Sequence, residues 1–219
     1  MQLDTNARVF LEMVAASGQP KLWDLTPDDA RKKVIELTRI VEGKEAIGKI
    51  EDRTLPGPAG PLPFRIYTPL AANDQSSAGV IFFHGGAWVL GDLDTHDCLC
   101  RILANESGCR LVSVGYRLAP EHPFPAAVED ACSATAWIAA HAAELAIDPT
   151  CLAVAGDSAG GTLAAVVCQS AKGSRCRIAA VSVILSWRSE AENFWVISDE
   201  IRRLRKINKI SRALLVSET

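Results

Sequence analysis

No run in the chain approaches eighteen apolar residues, so it offers no membrane span. Basic charge is not in excess. The 23 Lys and Arg against 26 Asp and Glu leave a net charge of −3, which removes the electrostatic case for a nucleic-acid partner. The first residues, Met-Gln-Leu-Asp-Thr-Asn-Ala-Arg, are polar and lack the apolar region of a secretory signal. Paired cysteines are missing too: the seven are odd in number and scattered at 98, 100, 109, 132, 151, 168 and 176, mostly inside apolar runs. They read as reduced, buried small hydrophobes, and a cytoplasmic location is expected. Cys98 and Cys100 have the wrong spacing for a zinc knuckle and no matching second pair, so no metal site is expected. There is no internal repeat and no low-complexity segment. Histidine is scarce in a way that bears on chemistry: the four stand at 84, 96, 122 and 141, and none follows.

What is present is enough for one globular domain, since 48% of the 219 residues are hydrophobic. Its organising stretch is residues 151–161, Cys-Leu-Ala-Val-Ala-Gly-Asp-Ser-Ala-Gly-Gly. Residues 152–155 form an apolar run suited to a buried parallel strand. Gly156-Asp157-Ser158-Ala159-Gly160 then fits Gly-x-Ser-x-Gly, and residues 162–167 read as helix. Strand, glycine-flanked serine and helix together make a nucleophile elbow. Gly156 and Gly160 have no Cβ and permit the close approach such a turn needs. The helix N-terminus directs backbone N–H groups at the reacting oxygen. The simpler alternative is a loop that merely ends a strand. A chymotrypsin-type reading fails because Ala159 separates the serine from the glycines, and because the chain is not all-β.

Upstream, residues 4–16 have helical spacing and residues 17–20 stop it. Thr26 and Pro27, with Asp28 and Asp29 behind them, start a helix to about Val41. These two helices lie outside the α/β repeat and are read as a lid, with a packing arm as the alternative. Residues 47–53 and 62–67 form an antiparallel hairpin around a Pro- and Gly-rich turn at 55–61. From residue 80 the pattern alternates strand and helix: strand at 80–83, helix at 94–106, strand at 110–115, helix from Pro125 to about His141, then the elbow strand. That alternation predicts a doubly wound, mostly parallel sheet. Sites in such sheets lie at the carboxyl ends of the strands, where both Ser158 and the loop His84-Gly85-Gly86-Ala87-Trp88 fall. Two glycines after a buried strand let backbone N–H groups turn toward a developing oxyanion; a tight turn is the alternative. His84 is expected to hold the shape of its loop by hydrogen bonding.

Three motifs carry a resemblance: His84-Gly85-Gly86-Ala87-Trp88, Tyr116-Arg117-Leu118-Ala119-Pro120-Glu121-His122-Pro123-Phe124-Pro125-Ala126 and Gly156-Asp157-Ser158-Ala159-Gly160-Gly161. In this order they resemble the hormone-sensitive-lipase-like family of α/β-hydrolases, which includes bacterial carboxylesterases and arylacetamide-deacetylase-like enzymes. The resemblance runs from the N-terminal helices to about residue 170. It implies the α/β-hydrolase fold, an N-terminal helical cap over the pocket and esters of short to medium acyl chains as substrates. It makes Ser158 the nucleophile and assigns the oxyanion hole to the amides of Gly85, Gly86 and Ala159. It sets Trp88 beside the pocket and calls for no metal and no organic cofactor. The expected layout is cap helices at 1–45, a hydrolase core at 46–186 and an atypical basic tail at 187–219.

The sequence departs from that family after the elbow. A serine hydrolase of this fold orders its triad as Ser, then Asp or Glu, then His, and no His follows Ser158. Residues 178–186 suit one more strand, so the sheet is expected to stop after about its sixth. Beyond it stand Trp187-Arg188-Ser189-Glu190 and a basic stretch with Arg202, Arg203, Arg205, Lys206, Lys209 and Arg212. A shifted frame, an alternative exon or a truncation accounts for that change. A basic amphipathic helix for an acidic partner or a membrane surface, and a terminal packing helix, are the alternatives. The triad acid and base are therefore not found, and impaired hydrolysis is expected, with His122 as the upstream candidate for a substitute base. The competing reading is a binding protein on the same fold, like plant gibberellin receptors, which keep the pocket and lose the catalytic His. Association into a homodimer through a sheet edge or helix is also expected.

Overall fold

The hairpin that opens the sheet is longer than its sequence suggests. In the computed structural model, which describes residues 5–18, 20–41, 45–72, 76–171 and 178–184, strands β1 (Lys49–Gly57) and β2 (Gly60–Thr68) pair antiparallel without interruption. Residues 55–61 were expected to turn; only Pro58 and Ala59 do. Pro56 stands opposite Pro61, and facing residues of an antiparallel pair share one bonding state, so two prolines fit a pair that exchanges no N–H. Leu55 and Leu62 face each other there and are buried, which extends the apolar pattern to the tip.

Four further strands complete a six-stranded sheet: β3 (Ser77–Phe83), β4 (Arg110–Val114), β5 (Ile147–Asp157) and β6 (Ile178–Ile184), in the order β1-β2-β4-β3-β5-β6. β2 meets β4 antiparallel, while β4, β3, β5 and β6 are parallel. Helices α3 (Asp97–Ser107), α4 (Ala126–Ala140) and α5 (Ala159–Ala171) make the connections. Alternation along β3 shows why both faces need covering: Ile81 and Phe83 pack with residues of α4 and α5, and Val80 and Phe82 with residues of α3. This is the doubly wound, mostly parallel sheet of the α/β-hydrolase fold.

Helix α3 begins three residues later than its periodicity suggests. Asp92 Oδ1 accepts from the amides of Asp94 and Thr95, and the Asp92 amide donates to Thr95 Oγ1. These local side-chain bonds hold residues 92–95 in a turn that competes with helix.

Ahead of the sheet lie α1 (Thr5–Ala16) and α2 (Pro27–Val41). Thr26 Oγ1 accepts the Asp29 amide at 3.2 Å and donates to its carboxylate at 2.8 Å, closing the N-terminus as its sequence predicts. One side chain fastens α2 to the sheet's loops. Arg31 forks onto both carboxylate oxygens of Glu121 at 2.8 Å, and donates to the carbonyls of Val89 and Ala119 at 2.8 Å. Val89 follows the His84-Gly85-Gly86 loop, so the latch reaches the edge of the site. The expected basic tail and Cys176 lie outside the described residues.

Candidate active site

Strand β5 ends at Asp157 and α5 begins at Ala159, so Ser158 alone makes the corner, with φ +49°. A non-glycine residue in the left-handed region is strained by about 1–2 kcal/mol. The neighbours tolerate it because they are bare. A Cβ at Gly160 would run into the Phe83 carbonyl, and one at Gly156 into the Gly160 backbone. Both glycines of the motif are thus required by the close approach of β3 to the corner. Ala159 is the first residue of α5, so its N–H has no partner within the helix and points out of its positive end.

The facing loop leaves β3 at Phe83. Gly86 has φ +120°, and its carbonyl accepts from the amides of Val89 and Leu90 at 3.0 and 2.8 Å. Ala87 and Trp88 follow at φ +53° and +59°. With Ser158, they account for three of the four non-glycine residues at positive φ among the described residues, which concentrates backbone strain around the corner.

Asp157 joins the two halves. Its Oδ1 accepts the Gly85 amide at 2.8 Å, and a Cβ on Gly85 would collide with its carboxylate. Of the three amides assigned to the oxyanion hole, that of Gly85 is therefore engaged by Asp157 in this structure. Gly86 and Ala159 carry the two amides that are not so used. In the sequence Asp157 stands out only as part of its motif.

His84 fixes the loop from beneath. It is buried, its Nδ1 lies 2.8 Å from its neighbour's carbonyl at Gly85, and its ring stacks on Tyr116 with centroids 4.3 Å apart. A carbonyl can only accept, so Nδ1 carries the proton. Burial pushes its pKa down to about 4, with the Gly85 carbonyl opposing, and the ring is neutral at pH 7. The Tyr116 hydroxyl donates to the His84 carbonyl at 2.7 Å. In the sequence Tyr116 stands in its motif without a role, although a tyrosine two residues past a buried strand end is a signal for one. Trp88 is 40% exposed.

The Ser158 hydroxyl forms no hydrogen bond with any described residue, and none of the four histidines serves it. His84 is occupied as above. His96 has Nδ1 3.1 Å from Thr95 Oγ1 and Nε2 3.5 Å from Asp157 Oδ1. His141 stacks on Trp137 and bonds its carbonyl. His122, the expected substitute base, borders a cleft of about 420 Å3 with Arg31, Ile35, Thr95 and Glu121. A larger cleft of about 630 Å3 runs between β1–β2 and the turn at 91–94, with His84 in its wall. Ser158 and Trp88 line neither cleft. Among the described residues, no group of three His, Cys, Asp or Glu could hold a metal ion, and no helix is long and apolar enough to cross a membrane.

The family of the alpha/beta hydrolase fold matches residues 80–211. The match continues past residue 170, the expected end of the resemblance. Esterase LipI of Mycobacterium tuberculosis is 54% identical over 125 residues, covering 57% of this chain and 39% of its own length. Arylesterase of Saccharolobus solfataricus is 37% identical over 180 residues, covering 82% of this chain and 58% of its own. Among solved structures, an ester-hydrolase from the metagenome of Lake Arreo, complexed with a derivative of bipyridine phosphonate, superposes with a TM-score of 0.80 at 32% identity, covering 98% of this chain and 70% of that one. The chain thus spans less than two thirds of the length of either curated relative.

Proposed function

The chain belongs to the hormone-sensitive-lipase-like carboxylesterase family of α/β-hydrolases, and from that premise we propose that its site takes short- to medium-chain carboxylic esters through an acyl intermediate on Ser158. The carrying observation is the corner itself, a serine held at φ +49° opposite a glycine loop. Attack by Ser158 Oγ on the ester carbonyl makes a tetrahedral oxyanion. The amides of Gly86 and Ala159 supply donors for that charge, and the α5 N-terminus adds its positive end. Loss of the alcohol leaves an acyl-serine, which water then cleaves.

A base must take the Ser158 proton, and no described histidine is placed to do so. Without it the oxyanion donors and substrate binding alone support a residual rate, on the order of 10³–10⁴ over water in triad enzymes. The 219-residue chain is accordingly expected to turn over p-nitrophenyl butyrate weakly and to label slowly with a fluorophosphonate at Ser158. Fast turnover abolished by Ser158→Ala would overturn the impaired reading and leave the esterase reading standing. A second reading is a binding protein that no longer cleaves, since the described histidines at 84, 96 and 141 bond groups other than Ser158. Thermal stabilisation by an uncleaved ester, with no labelling at all, would favour it.

A further inference from the structure

We infer that His96 is a positioning residue of the oxyanion loop: as the Nε2–H form it faces the Asp157 carboxylate that holds the Gly85 amide. The juxtaposition is specific. Asp157 Oδ1 accepts the Gly85 amide at 2.8 Å, and His96 Nε2 lies 3.5 Å from that same oxygen. The contact is too long for a good hydrogen bond and close enough for strong charge–dipole attraction. Both side chains are mostly shielded, at 18% and 19% exposure.

Thr95 accommodates either tautomer of His96, and the Asp157 carboxylate facing Nε2 selects between them. Thr95 Oγ1 accepts the Asp92 amide at 2.8 Å, and it has one hydrogen to give. Two acceptors compete for it: His96 Nδ1 at 3.1 Å and the Asp92 carbonyl at 3.1 Å. If Nδ1 of a neutral ring carried the proton, the bare Nε2 would aim its lone pair at a carboxylate. If Thr95 donates to Nδ1, Nε2 carries the proton and points N–H at Asp157. A doubly protonated ring also presents Nε2–H there, with Thr95 turning its hydrogen to the Asp92 carbonyl. Every arrangement without an acceptor–acceptor clash therefore keeps a proton on Nε2. The titratable groups that face the ring are Asp157, with Oδ1 3.5 Å from Nε2, and His84, whose ring centroid is 5.4 Å away. His84 is the opposite tautomer, with its proton on Nδ1. One small cluster thus holds two histidines whose protons are on different nitrogens, each set by one fixed partner.

The role follows from this wiring. Both ring nitrogens of His96 are directed elsewhere than Ser158, so it acts through Asp157, steadying the carboxylate that draws the Gly85 amide toward β5. Any catalytic consequence rests on the esterase reading; the tautomer and the state of the Gly85 amide do not. The test uses the full 219-residue chain labelled with 15N. Long-range proton–nitrogen spectra at pH 7 are expected to show His96 protonated at Nε2 and His84 at Nδ1. His96→Phe, which keeps a ring and loses the donor, is expected to speed exchange of the Gly85 amide about tenfold, the loss expected for one polar partner. His96→Gln, which keeps an N–H donor, should recover most of that protection. A His96 ring protonated only at Nδ1 would overturn the proposal. So would unchanged Gly85 protection in a folded His96→Phe chain. If His96→Phe does not fold, the tautomer measured in the unsubstituted chain decides. Failure of fluorophosphonate to label the unsubstituted chain would count against the esterase reading while leaving these spectra to judge His96.

Discussion

At the scale of single residues, the site is held by groups that do no chemistry. His84 is buried under the glycine loop with its pKa pushed down to about 4, against about 6.5 for a free histidine. Between those values the unfolded chain binds a proton that the folded chain refuses, so stability is full above pH 6.5 and falls as pH drops toward 4. The gap corresponds to on the order of 3 kcal/mol. Urea midpoints at pH 7.5 and 4.5 should therefore differ more for the unsubstituted chain than for His84→Gln, and equal differences would sink this assignment. Gly160 illustrates the opposite constraint, since the Phe83 carbonyl occupies the place of any side chain. The glycine pattern that identifies the corner by sequence is the record of that contact. The partner of Asp157 left no such record, because an ordinary acid does not announce what it bonds; only the fold brings Gly85 to it.

At the scale of elements, α2 is attached to the loops beside the site by Arg31. Guanidinium geometry suits this latch: one planar fork meets both oxygens of Glu121 and two carbonyls on separate loops. The ammonium of a lysine has neither the planar fork nor the reach to all of them. Arg31→Lys is expected to raise hydrogen exchange in α2 about tenfold while leaving β3, β4 and β5 unchanged, and an unaffected α2 would disprove the latch. Arg31 also holds the Glu121 carboxyl down to about 2. The pair therefore stays charged from neutral pH through the ordinary carboxylate range and is lost only as pH falls through about 2. The helix was legible from Thr26 and its acidic first turn. Its docking was not, because an arginine on a helix face gives no hint of a glutamate ninety residues away.

At the scale of the whole molecule, order is graded from the sheet outward. β3 is fully enclosed at Ile81, Phe82 and Phe83, whereas on α1 the side chains of Val9, Leu11, Met13 and Val14 are between 46% and 66% exposed. Hydrogen exchange should run fastest in α1, slower in α2 and slowest in β3, β4 and β5. Brief proteolysis is expected to trim α1 while the sheet stays folded. Equal protection of α1 and β3 would contradict this gradient. The gradient also separates what repeats from what is appended: the alternating strands and helices bury both faces of the sheet, while α2 is attached through Arg31 to the loops beside it.

The sequence by itself determined the sheet, its parallel core and the corner at Ser158, because hydrophobic periodicity and obligatory glycines are local requirements written where they act. It also placed the His84-Gly85-Gly86 loop at the same end of the sheet, since both follow buried parallel strands. The tertiary structure decided what each of those groups is bonded to. Only in three dimensions does Asp157 take up the Gly85 amide and His96 come to face that carboxylate, because partners 72 residues apart are chosen by the packing of β3 beside β5 and by nothing in their own neighbourhoods.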